Sequence, residues 1–218
     1  MKRYFLQAVF DLRCWWRNGE QLLLLVILPT LALVLGTQYG ESLGIAPRSL
    51  LDGTIVMSYF ASAFVGQSIM TAFDRRSNSL VVIGAGPVGT NGFVIARALS
   101  VLVTCVVQLF IICAIAWWLD FAVADVVRSG VLAMSGVPAF VALGLLLAGT
   151  MRAELVLATS NLLFIGMAVL SGVVNSVPWT PVGAVRLVQA GDALGLIVVL
   201  IWTIVAGVTS VRYFRWTD

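Results

Sequence analysis

The sequence predicts an all-α membrane protein: an N-terminal amphipathic interface helix, then six transmembrane helices with both ends in the cytoplasm. Three observations carry this expectation. Only 11% of the 218 residues are charged and 61% are hydrophobic, against about a quarter charged in a soluble domain. A compact globule of this length has too little interior to hide so much apolar surface. The apolar residues also gather into six runs of about 20 residues, the length that crosses a hydrocarbon core as a helix. Finally, the basic residues are unevenly shared between the two sides that six crossings define. Lys2, Arg3, Arg13, Arg17, Arg75, Arg76, Arg97, Arg152, Arg212 and Arg215 fall on the side of the N-terminus, and Arg48, Arg128 and Arg186 on the other. Basic residues mark the cytoplasmic side. The length suggests a single domain, residues 1–218.

Residues 1–19 open the chain. Arg3, Gln7, Asp11, Cys14 and Asn18 recur at helical spacing on one side, and Phe5, Val9, Leu12 and Trp16 on the other. That pattern predicts a helix lying in the membrane interface, where Trp15 and Trp16 are at home; the plainer alternative is a basic leader that only sets topology. The charged start continues through Arg13 and Arg17, and no small-residue cleavage site follows the first apolar run, so no cleavable signal peptide is expected. The spans are predicted at 21–39, 53–73, 92–119, 129–150, 155–175 and 194–211. The third is long enough to require tilt or protrusion, and Arg97 near its inner end is expected to snorkel to the headgroups. Only Met151–Glu154 separate the fourth and fifth, which predicts a tight helical hairpin.

Histidine is absent, which removes the commonest metal ligand and acid–base group. Of the three cysteines, Cys105 and Cys113 lie eight residues apart on one predicted helix, about 12 Å, too far for a disulfide. No acid falls at the middle of a span, so a proton relay is poorly supported. An intramembrane enzyme would need a nucleophile with its base, or a metal cluster, and candidates for either are thin. No metal site and no nucleic-acid partner are expected.

Residues 80–89 contain a motif out of place. Leu80–Ile83 followed by Gly84, Gly86 and Gly89 reads as an apolar run and then G-x-G-x-x-G, the fingerprint of a dinucleotide site. Here it opens a membrane span, and residues 98–119 hold no acid to bind a ribose, so the βαβ context is missing. The segment is expected instead to form a cytoplasmic connector over 74–90. Asp74, Arg75 and Arg76 supply charge, Leu80 to Ile83 an apolar patch, and Pro87 with the glycines a turn back into the bilayer. Such a connector suits docking onto a soluble partner; an ordinary loop with topogenic arginines is the alternative.

Asp74-Arg75-Arg76, the run Leu80–Ile83, Pro87-Val88-Gly89 and Ala96-Arg97-Ala98-Leu99 follow one another in an order that resembles the permease subunits of type-2 ABC exporters. Members commonly carry Glu-Arg, Gly-Thr-Leu and Thr-Pro-Val-Ser where this chain has Asp74-Arg75-Arg76, Ser77–Leu80 and Gly86–Gly89. The interface helix, the fifth span with Asn161, Phe164 and Gly172, and the ending Val211–Trp216 are similar to the family as well. The resemblance implies a cytoplasmic (inner) membrane location in a bacterium and a partner ATP-binding-cassette ATPase docked at Asp74, Arg75, Arg76, Leu80, Ile83 and Pro87. It also implies a second permease, identical or related. ATP and magnesium would sit on the partner ATPase, and no cofactor on this chain, which lacks a Walker A sequence and whose single lysine is Lys2. The implied activity is export of an amphipathic substrate such as a drug, lipid-linked molecule or peptide; a membrane anchor without transport is a further alternative.

Two more segments invite functional readings. Ser176–Asp192 is apolar for an exposed loop, with Pro178, Trp179, Pro181 and Arg186. Either short helices dip into the outer leaflet against protein, or the loop is anchored at the interface by Trp179. Within the spans, Ser58, Ser62, Asn161, Phe164 and Met167 are candidates to line a substrate path. For the polar ones among them, helix–helix packing is the favoured reading and the substrate path the alternative.

Overall fold

A computed structural model describes residues 9, 27–40, 42, 44–85, 89–172 and 177–214. Apart from Val9, the expected interface helix lies outside these residues, as do Pro87 and the last four positions. Among the described residues the secondary structure is helical throughout. Five helices are long and apolar enough to cross a membrane, which is the pattern of a multi-pass membrane protein. The first expected span enters the description only at α1, Leu28–Tyr39.

Helix α2, Pro47–Arg76, is the axis of the fold. Pro47 sets its start, with Ala46 extended at φ −65° and ψ 138°, the conformation a following proline imposes. Between Ala61 and Gly66 it widens into a π-helix. Its apolar stretch is 94% buried, against 17% for that of α6, Ala153–Met167, so the other helices are arranged around α2. Asn78 then turns the chain at φ 58°, a left-handed conformation that asparagine tolerates. The short helix α3, Ser79–Ala85, follows, so the apolar run of the expected connector is helical. Helix α4, Gly89–Trp118, returns across the bundle.

The connection expected at 120–128 is shorter than its apolar boundary suggests, because α5 begins at Val123 and runs to Thr150. It tightens into a 3-10 turn at Met134–Gly136, where the ring of Pro138 would otherwise meet the carbonyl of Met134. Helix α6 also ends in a π-helical stretch, Ala168–Gly172. Helix α7, Pro181–Ala190, starts under a Thr180 cap whose Oγ1 accepts from the Gly183 N–H at 2.9 Å. It ends at Gly191, whose φ of 88° suits glycine. Helix α8, Ala193–Tyr213, is capped by the Asp192 carboxylate and packs along α5 and α7.

Contacts sort the connections onto two ends of the bundle. Arg75 reaches the end of α5, and the Phe214 ring lies against Gly149, which places 74–85, 151–152 and the end of α8 together. At the opposite end α7 is latched to the starts of α2 and α5. Arg186 donates to the Ser49 carbonyl at 2.9 Å and hydroxyl at 2.7 Å, and Gln189 donates to Ser129 Oγ at 2.7 Å. Burial lowers the affinity of the Arg186 guanidinium for its proton, while the charge of Asp52 works the other way. Residues 181–190 thus form a helix with a buried face that includes Val182, Ala184 and Val185.

Candidate functional site

Two regions concentrate the candidate residues. The first is the end of α2. Successive residues on an α-helix point about 100° apart, so Asp74, Arg75 and Arg76 fan out toward three different neighbours. The Asp74 carboxylate pairs with Arg97 of α4. Arg75 is buried and donates from Nη1 to the Ala148 carbonyl at 2.6 Å and from Nη2 to the Met151 carbonyl. It thereby satisfies the carbonyls that the end of α5 leaves without helical partners, and sets a cation on the negative pole of that helix. Arg76 pairs with Glu154 in the first turn of α6, both side chains being exposed. Three consecutive residues therefore tie α2 to α4, α5 and α6.

This arrangement changes what the charged residues offer a partner. Arg75 faces into the chain, and Arg76 faces out. Arg97, expected to snorkel, is instead 1% exposed. It pairs with Asp74, donates to Met70 Sδ at 2.7 Å and lies over the Phe93 ring at 5.0 Å. A carboxylate within reach satisfies the guanidinium better than stretching to headgroups would, since a buried charge needs a partner. On α3 Leu80 is fully buried and Ile83 half-buried, while Val81 and Val82 are exposed. Of the expected patch Leu80 to Ile83, the outward apolar surface is therefore Val81 and Val82, while Leu80 and Ile83, the two expected to dock, turn inward. Pro87 lies outside the described residues.

The second region is an aromatic cluster around the two π-helical stretches. Phe60 stacks on Phe64 at 4.7 Å between centroids, meets Phe140 edge-on at 5.1 Å and lies nearly parallel to Phe164 at 6.4 Å. Beside it is a cavity of about 330 Å³. Helix α2 contributes Phe60 and Phe64, α5 Leu143, and α6 Leu163 and Met167. Trp179 and Thr180 before α7, Pro181 at its start and Trp202 on α8 complete the wall. Gly144 lets α5 come this close to α2, since a Cβ there would stand 2.9 Å from the Phe64 carbonyl.

Of the expected path residues, Phe164 and Met167 come together at this cluster, and Asn161 is half-buried on α6. Ser58 and Ser62 are both buried. Ser58 Oγ donates to the Thr54 carbonyl at 2.7 Å, and the Ser58 carbonyl accepts from Gln108 of α4 at 3.2 Å, so Ser58 serves the packing of α2 on α4. The i, i+4 spacing of Phe60 and Phe64 was the available sequence signal for the aromatic cluster. Trp202 came with none, because its role depends on where α8 packs.

No protein-family model, curated protein or solved structure matches the chain. Fold and site together define a class: an all-helical, multi-pass membrane protein whose central helix ends in a charged tie to three others.

Proposed function

We propose that this chain is the permease subunit of a type-2 ABC exporter in the cytoplasmic membrane of a bacterium. In this reading six spans cross the bilayer, both ends face the cytoplasm, and the chain pairs with a second, identical or related permease. A separate ATPase subunit binds ATP and magnesium. The observation that carries the reading is the placement of α3 beside the tie at Asp74, Arg75 and Arg76. Force applied to α3 reaches the end of α2, and through these residues it reaches α4, α5 and α6 together. That is the mechanical requirement of a subunit that changes access on one side when a motor closes on the other.

The mechanism is then a change in packing, with no bond made or broken on this chain. Closure of the ATPases moves α3, and the tied helix ends move as a unit. A path between copies, flanked by the exposed face of α6, opens outward; α2, buried within each copy, stands behind it. Its walls carry little charge and suit an amphipathic substrate. Affinity purification from native membranes, followed by ATPase assays in liposomes, tests this. The expected result is a co-purifying ATP-binding-cassette ATPase whose turnover rises with an amphipathic substrate. Co-purification without stimulation by any substrate would indicate an anchor, and absence of any ATPase would overturn the reading.

A further inference from the structure

The three helices that meet at the aromatic cluster all lose α geometry beside it. Helix α2 is π-helical over Ala61–Gly66, next to Phe60 and including Phe64. Helix α5 tightens to a 3-10 turn at Met134–Gly136, four to six residues from Phe140, and α6 widens at Ala168–Gly172, four to eight residues from Phe164. At 1.5 Å per residue, no break is more than about 12 Å along its helix from a ring of the cluster. A 3-10 stretch within a helix often marks a hinge, and π-helical turns are a recognised cause of kinks. The packing partners also change across this level. From Pro47 to Phe60, α2 lies against α1, α7 and the first half of α5, Val123–Ala133. From Gln67 to Arg76 it lies against α3, α6 and the second half of α5, Val137–Thr150.

We infer that residues 61–66, 134–136 and 168–172 form a waist about which the two poles of the bundle bend against each other. Each pole is held by its own polar bonds. Arg186 and Gln189 fasten one, and Asp74, Arg75 and Arg76 the other. At the waist the contacts are aromatic and apolar, and the buried Ser62 Oγ has no hydrogen-bond partner among the described residues. Helices α4 and α8 pass this level unbroken, but their apolar stretches are only 33% and 28% buried, so they can tilt as rods in lipid. Phe64 is twelve residues from Arg76, about 18 Å of helix. A bend of about 20°, the threshold of a sharp kink, moves the end of such a lever by about 6 Å. The inference rests on packing within one copy and stands whatever drives the protein.

The test exploits the π-helical turn of α2, which holds one residue more than an α-helical turn. Deleting Ser62 should close it to α geometry while residues 47–60 and 67–76 keep their relative register. Deleting Val56, within the regular part of α2, turns one half against the other by about 100° and should prevent folding. The full chain, with its three cysteines replaced by alanine, is placed in lipid nanodiscs and spin-labelled at Val82→Cys and Leu196→Cys. Both positions are exposed, one on α3 at the pole of the tie and one near the start of α8 at the pole of α7. Double electron–electron resonance should give a distance distribution broadened by about 6 Å, the reach of the bend. Deletion of Ser62 should narrow it while circular dichroism stays unchanged. A narrow distribution before the deletion, an unchanged one after it, or failure of the Ser62-deleted chain to fold would each overturn the inference.

Discussion

Arg75 and Arg76 are neighbours in sequence and opposites in environment, and their substitutions should separate accordingly. Arg75 is 3% exposed and donates to two carbonyls at the end of α5. Arg75→Met keeps much of the side-chain volume but removes both bonds; hydrogen bonds to charged groups are worth about 1.5–3 kcal/mol. That figure is for one bond, so unfolding in mixed micelles should show a loss of at least about 3 kcal/mol for the two. Arg76→Met breaks an exposed pair with Glu154, and exposed pairs contribute at most about 1 kcal/mol, so the same measurement should barely change. Asp74→Asn is the severe case, because it leaves the buried Arg97 guanidinium without its carboxylate. Breaking a buried pair costs about 3–5 kcal/mol, and partial rescue by Arg97→Met in the double variant would identify the uncompensated cation as the cause. The sequence placed these three residues correctly at the end of a span. It could not assign them roles, because which one turns inward depends on where the ends of α4, α5 and α6 arrive.

At the scale of elements, α3 shows how far a pattern can be read. Residues 80–83 are apolar without a break, so periodicity alone does not distinguish strand from helix. As a helix, the run splits into a buried side with Leu80 and an exposed side with Val81 and Val82. Leu80→Asp should therefore impair folding and membrane yield. Val82→Asp should leave both intact, and in the exporter reading should weaken co-purification of the ATPase. Equal folding defects in the two variants would contradict the helical register. Five of the six expected spans were legible because hydropathy reports the apolar core of each helix. Their ends were not: α2 extends to Pro47 and α5 to Val123, since polar residues continue a helix past the hydrocarbon. The π-helical stretches left no mark in the sequence, being consequences of how α2 and α6 pack.

For the whole molecule, the contacts group residues 74–85, 151–152 and the end of α8 at one pole, and α7 with the starts of α2 and α5 at the other. The division of basic residues follows the same grouping, and in the exporter reading it adds a direction, with the first pole cytoplasmic. Among the described residues Arg75, Arg76, Arg97, Arg152 and Arg212 belong to that pole, and Arg48, Arg128 and Arg186 to the other. The exporter reading requires this direction, because the docking helix must face the compartment that holds ATP. A photo-activatable cross-linker at Val82, exposed on α3, tests direction and partner at once in intact cells. The account predicts a covalent adduct with an ATP-binding-cassette ATPase, and no labelling of the same position by an impermeant reagent applied from outside. Labelling from outside, or cross-linking that never captures an ATPase, would contradict it.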